Sequence, residues 1–105
     1  MLRTQEAAEA TDALAKKWAV EVTYQLAAGP QRYNELLKGL DETVTPKVFT
    51  RVLRRLEAEN IVERHIVDQS PPGVVYQLTR FGYRLVAALD DIAELWQSRH
   101  LDQSA

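Results

Sequence analysis

Two punctuation marks, Thr45-Pro46 and Asn60, enclose the segment that most constrains how this chain can fold. Proline at a first helical position has the backbone angle a helix needs, and a threonine before it offers an oxygen to the exposed amides. Asn60 tolerates the left-handed conformation that ends a helix. Between them Phe49, Leu53 and Leu56 recur at spacings of four and three, which makes one apolar stripe. Lys47, Thr50, Arg51, Arg54 and Arg55 fall largely on the rest of the circumference. From Thr43 to Leu56 there are four basic residues and no acidic one, although the whole chain has a formal charge of −2. Residues 45–84 carry a net charge of +3 and the remainder −5, so the total averages two unlike surfaces.

The neighbouring segments complete a pattern. From Glu6 to Ala28 good helix formers run without Gly or Pro until Gly29-Pro30, which predicts one long helix or two in succession over 6–28. Trp18, Val22 and Leu26 share a face of it, with Leu14 and Ala15 extending that face. A short helix is expected over 33–40, carrying Leu36, Leu37 and Leu40 and closed by Gly39 or the residues just beyond. Ile61–Val67 and Val74–Leu78 are β-branched and aromatic runs around Asp68–Gly73, the signature of a two-stranded hairpin over 61–78. Thr79 can cap a last helix over 79–99, with Leu85, Val86, Leu89, Ile92, Ala93 and Trp96 at three- and four-residue spacing. A short helix, a turn, a basic helix and a hairpin form a winged helix-turn-helix. The fold class is therefore mainly α with a small β-hairpin, and 105 residues leave room for one domain, 1–105.

Composition removes several classes. With no cysteine there are no disulfides, thiolate metal sites or cysteine nucleophiles. No metal site and no cofactor are expected. No apolar run approaches the ~20 residues of a membrane span, and the polar amino end lacks a signal core, so a cytoplasmic protein with no membrane partner is expected. There is no Gly-rich phosphate loop, no HExxH and no nucleophile with a base, which argues against an enzyme.

The residues also resemble a known family, the HxlR-type winged helix-turn-helix transcriptional regulators of bacteria, almost without gaps from Lys17 to Trp96. The resemblance is carried by Lys17-Trp18, Gly29-Pro30, Arg32-Tyr33-Asn34-Glu35-Leu36, Thr45-Pro46-Lys47-Val48-Phe49-Thr50-Arg51 with Leu53 and Leu56, Ile61-Val62-Glu63-Arg64, Pro71-Pro72, Val74, Tyr76, Leu78-Thr79 and Gly82. It implies a dimeric regulator of transcription that binds double-stranded DNA, with the terminal helices making much of the dimer contact. Many members carry a cysteine near the position of Gln5; its absence excludes thiol redox sensing. Glu21, Thr23 and Tyr24 stand where the family is commonly aliphatic or basic. Gly73 and Val75 stand where it often has a basic residue and Glu, and Asn60 where it usually has Gly.

On the basic helix, Thr50 and Arg51 are the candidates for base edges, and Lys47, Arg54 and Arg55 for phosphates, with Thr45 at the helix start. The bland reading is a solvated face with Arg54–Glu57 or Arg55–Glu59 pairs. Arg32 and Asn34 are phosphate candidates at the short helix, where Asn34 as a cap and Tyr33 packed inward are the alternative. Gln69 and Ser70 on the wing tip are further DNA candidates; the hairpin turn otherwise only positions its strands. His65 reads better as an ordinary strand residue than as a pH sensor. Trp18, Glu21, Tyr24, Tyr83, Leu89 and Trp96 form a candidate ligand or dimer interface, against ordinary core packing for the aromatics and a solvated carboxylate for Glu21. Asp90-Asp91 reads as a solvated acidic cluster. The function expected is a homodimeric, sequence-specific regulator on a pseudo-palindromic operator, with a small-molecule inducer at the dimer interface. The alternative is a winged-helix protein-interaction module that docks an acidic partner with the same face.

Overall fold

In the computed structural model, which describes residues 2–40, 43–68 and 71–103, the order is α1 (Thr4–Ala15), α2 (Ala19–Ala27), β1 (Gln31–Arg32), α3 (Tyr33–Lys38), α4 (Pro46–Ala58), β2 (Val62–Val67), β3 (Gly73–Leu78) and α5 (Arg80–Gln103). Phe49, Leu26, Leu36, Leu53, Leu56 and Val22 are the large side chains at the centre of the core. The stripe on α4 thus meets the buried face of α2 and the inner face of α3.

The ends of α4 follow from local chemistry. The Thr45 hydroxyl accepts a hydrogen bond from the Val48 amide at 3.2 Å, and Pro46 opens the helix. At the far end Asn60 has φ +60°, the Ile61 amide donates to the Leu56 carbonyl at 2.9 Å, and the Asn60 amide donates to Glu57 at 3.0 Å. These two bonds form a Schellman closure, and Leu56 and Ile61 are both buried behind it.

Thr79 joins this end to the next helix. Its hydroxyl donates to the Asn60 carbonyl at 2.7 Å and accepts from the Gly82 amide at 2.9 Å, while its own amide donates to the Ile61 carbonyl at 3.0 Å. Gly82 lies so close that a Cβ there would collide with the Ile61 carbonyl oxygen. Any side chain at 82 would push α5 off the end of α4.

Three expectations are corrected, and two readings left open are decided. Of one long helix or two in succession, the amino-terminal stretch is two, separated at Lys16-Lys17-Trp18, with Trp18 at φ +76°. No breaker residue marks this bend, and it leaves Ala15 exposed instead of on the buried face with Val22 and Leu26. The sheet has three strands in the order β1-β3-β2, because Gln31 and Arg32 pair with Tyr76 and Val75. The third helix, expected to close at Gly39 or just beyond, ends at Lys38 with Gly39 as its cap. The last helix continues to Gln103, past the expected fraying point at Arg99. Being 24 residues long, α5 extends about 36 Å. The radius of gyration of 15.8 Å exceeds the roughly 13 Å of a compact chain of this length.

Two substitutions test the junction. Thr79→Val should lower stability by about 2 kcal/mol, combining a lost helix cap with a lost tie to α4. Gly82→Ala should cost about 1–3 kcal/mol through overpacking against backbone. Chemical denaturation of each variant checks both.

Candidate nucleic-acid interface

The polar side of α4 follows from helical periodicity. Lys47, Arg51 and Arg54 are exposed and Thr50 is half-buried, at spacings of three and four that place them on one arc. Among the described residues no carboxylate pairs with Lys47, Arg51 or Arg54. The expected alternative partner of Arg54, Glu57, is instead 3.0 Å from Arg64 on β2. That bond ties the wing to α4 and leaves Arg54 facing solvent.

Arg55 behaves differently. Its guanidinium contacts Glu59 at 3.0 Å and Asp12 at 3.4 Å, so it fastens α4 to α1. Two carboxylates on one guanidinium offset its charge, and the Arg55–Glu59 pair weighed against a phosphate role is present.

Thr50 is less open than its candidacy for a base edge assumed. The Tyr33 hydroxyl lies 2.9 Å from the Thr50 hydroxyl, and the Tyr33 ring stands edge-on to Phe49 at 4.9 Å between centroids. Tyr33 therefore bridges α3 to α4. The Thr45 hydroxyl spends its acceptor on the Val48 amide and keeps its proton to donate.

Arg32 and Asn34 lie at the start of α3, where they share a notch of about 360 Å³ with Pro71, Pro72, Gly73 and Val74 of the wing. A Cβ at position 73 would crowd the Arg32 guanidinium, so the glycine admits that side chain against the wing base. The Glu35 carboxylate accepts from the Arg32 amide at 2.9 Å, which caps α3; Asn34 is exposed and is not the cap. Gln69 and Ser70 lie outside the described residues. His65 on β2 is exposed and sits 3.2 Å from the Glu63 carboxylate.

The second candidate group is divided by the fold. Trp18, Glu21 and Tyr24 do meet, lining a cleft of about 530 Å³ with Gln25, Gly39 and Leu40. Tyr83, Leu89 and Trp96 belong to α5 and do not line it. Tyr24 instead reaches α5 through Asp90, donating its hydroxyl at 2.7 Å; that hydrogen bond, then burial, raises the phenol pKa above its ordinary value. The half-buried Leu89 also lies on α5, while Tyr83 and Trp96 are exposed there, Trp96 under the Arg99 guanidinium at 4.2 Å. Thr23 is fully buried, and its hydroxyl donates to the Ala19 carbonyl at 2.8 Å.

Lys16 and Lys17 are functional candidates that sequence reasoning passed over. Their signal was available: two adjacent cations in an otherwise acidic amino-terminal third. Among the described residues no group of three or more His, Asp or Glu is arranged to hold a metal, and no helix is long and apolar enough to cross a membrane.

A three-helix core, a wing and a second helix with an unpaired cationic arc define a winged-helix transcriptional regulator. Comparison with known proteins agrees. The chain belongs to the HxlR-like helix-turn-helix family, which it matches over residues 13–105. It is 31% identical over 96 residues to the uncharacterized HTH-type transcriptional regulator YvaP of Bacillus subtilis, covering 91% of this chain and 87% of the relative. A crystal structure described as a transcriptional regulator of the MarR family from Enterococcus faecalis V583 superposes with a TM-score of 0.88 at 27% identity, covering 99% of this chain and 94% of that one. The reduced form of the regulator YodB from B. subtilis superposes at 0.82 and 28% identity, covering 93% of each chain. The family and these relatives are transcriptional regulators, not enzymes.

Tyr33→Phe removes the hydroxyl that holds Thr50 and should cost about 1 kcal/mol of stability. Thermal melting checks it, and an unchanged midpoint would mean that Tyr33 works through its ring alone.

Proposed function

We propose that the protein is a homodimeric, sequence-specific regulator that acts in the cytoplasm on a pseudo-palindromic operator, with residues 1–105 working as one winged helix-turn-helix unit. The observation that carries this reading is the arc of Lys47, Arg51 and Arg54, exposed and without carboxylate partners among the described residues of an acidic chain. A helix about 10–12 Å across fits a major groove about 12 Å wide. Seated there, Arg51 and Thr50 reach base edges, Arg51 through two parallel hydrogen bonds to guanine. Lys47, Arg54 and the Thr45 hydroxyl hold phosphates, as do Arg32 and Asn34 from the notch beside the wing. Gln69 and Ser70 touch the flanking backbone from the wing tip.

Dimerisation is supported by the outer part of α5. Ile92, Leu95 and Trp96 are 57%, 67% and 66% exposed on a helix that runs beyond the core, and exposed apolar patches of this kind mark interaction sites. A second copy packed along α5 covers them and fixes the distance between the two recognition helices. The Trp18, Glu21 and Tyr24 cleft is the candidate inducer site, because Tyr24 hydrogen-bonds to α5 through Asp90. A ligand there displaces α2 against α5 and retunes the spacing.

Gel shift on the gene's own upstream DNA tests the reading. Affinity should fall steeply with salt as counterions are released. Arg51→Ala with Arg54→Ala should weaken binding more than tenfold and leave the dimer intact; no shift by the unmodified protein would instead favour docking of an acidic protein partner. Ile92→Glu with Trp96→Glu should convert a two-chain mass to a one-chain mass in light scattering. An unchanged mass would place the dimer contact elsewhere.

A further inference from the structure

We propose that Lys16 and Lys17 make a second DNA-backbone contact, on the flank of α4 opposite Arg32 and Asn34, so that phosphates hold the recognition helix from both sides. The proposal rests on the DNA-binding reading above and extends its contact set to the bend between α1 and α2.

Helical geometry defines the two flanks. At about 100° per residue, Pro46 and Thr50, the residues that meet Tyr33, lie on one side of α4. Val48, Val52 and Arg55 lie roughly 180° away, with the exposed arc of Lys47, Arg51 and Arg54 between. On that far side Lys16, Lys17, Val48, Arg51, Val52 and Arg55 line a groove of about 310 Å³. The two lysines come from the bend after α1, and both are exposed.

Charge and chemistry point to the occupant. Asp12 and Glu59 already neutralise Arg55, so Lys16, Lys17 and Arg51 supply the unpaired charge of the groove. Among the described residues none of these three has a carboxylate partner; the Lys17 ammonium sits 5.4 Å from the centre of the Trp18 ring. The floor is Val48 and Val52. A nucleic-acid backbone alternates an anionic phosphodiester with the largely apolar face of a sugar, which matches ammonium groups standing around valines. A helix seated in the major groove has a backbone strand along each side. Arg32 and Asn34 meet one strand and Lys16 and Lys17 the other. Lysine suits this task because it serves as a point charge without the planar geometry that base reading needs.

The experiment compares unmodified protein with Lys16→Gln, Lys17→Gln, the double variant and Lys17→Arg, on the upstream DNA and on an unrelated duplex, across a salt series. Each lost phosphate contact should reduce the slope of log affinity against log salt by about 0.9. The double variant should therefore lose roughly 1.8 units of slope, with both duplexes weakened alike and their affinity ratio unchanged. Lys17→Arg should keep the slope. If Lys17→Gln unfolds through loss of its ring contact, Lys16→Gln alone decides, and a slope unchanged by it overturns the proposal. A changed affinity ratio between the two duplexes overturns it as well. Failure of the unmodified protein to bind any DNA would defeat the DNA-binding reading itself, a result distinct from all of these.

Discussion

The position of every outward-facing group depends on how the carboxyl end of α4 is closed. Asn60 turns the chain in a left-handed conformation, and Thr79 then clamps the turn by donating to the Asn60 carbonyl while accepting from the first turn of α5. One hydroxyl thus fixes three directions: the axis of the basic helix, the departure of β2 and the launch of α5. The arrangement is short-range in space but not in sequence, since 19 residues separate Thr79 from Asn60. Because Gly82 admits no side chain against the Ile61 carbonyl, the angle has little freedom. The wing receives a second restraint from the Arg64–Glu57 pair. Recognition helix, wing and long terminal helix are therefore tied to one another around this junction.

What could be read in the sequence were the features with local causes. The start and stop of α4 follow from Thr45-Pro46 and Asn60, whose effects lie within one turn, and the apolar stripe of Phe49, Leu53 and Leu56 falls into the core as its spacing requires. Strand β1 was illegible because two residues carry no periodicity, and Gln31 and Arg32 become a strand only through pairing with Tyr76 and Val75. The bend at Trp18 was illegible because no glycine or proline marks it. The exposed arc of Lys47, Arg51 and Arg54 was legible from periodicity alone. Arg55 was half legible: Glu59 lies four residues on, a spacing that announces the pair, whereas Asp12 reaches it only through packing of α1. The same packing brings Lys16 and Lys17 beside Arg51, which no pattern along the chain encodes.

Charge is distributed with the same economy. Carboxylates near the basic helix are engaged with cations that face inward or sideways, Glu59 and Asp12 with Arg55, Glu57 with Arg64. On α4 itself the cations without a carboxylate partner among the described residues, Lys47, Arg51 and Arg54, share one arc. A chain of net negative charge thereby keeps a positive surface where anions are to be met, and its remaining acidic surface opposes indiscriminate adhesion to nucleic acid.

The strand order β1-β3-β2 has a consequence for assembly. Strand β3 is sandwiched, so β2 is left with one row of unshared backbone amides and carbonyls, a template onto which another chain could add a strand. Glu63, Arg64 and His65 occupy the middle of β2 and are all exposed. A neighbouring copy adding there would have to desolvate two charges and an imidazole. Open-ended growth through the wing is thus discouraged, while the apolar stripe of α5 lies well apart on a helix. The wing edge is thereby protected against strand addition by further copies.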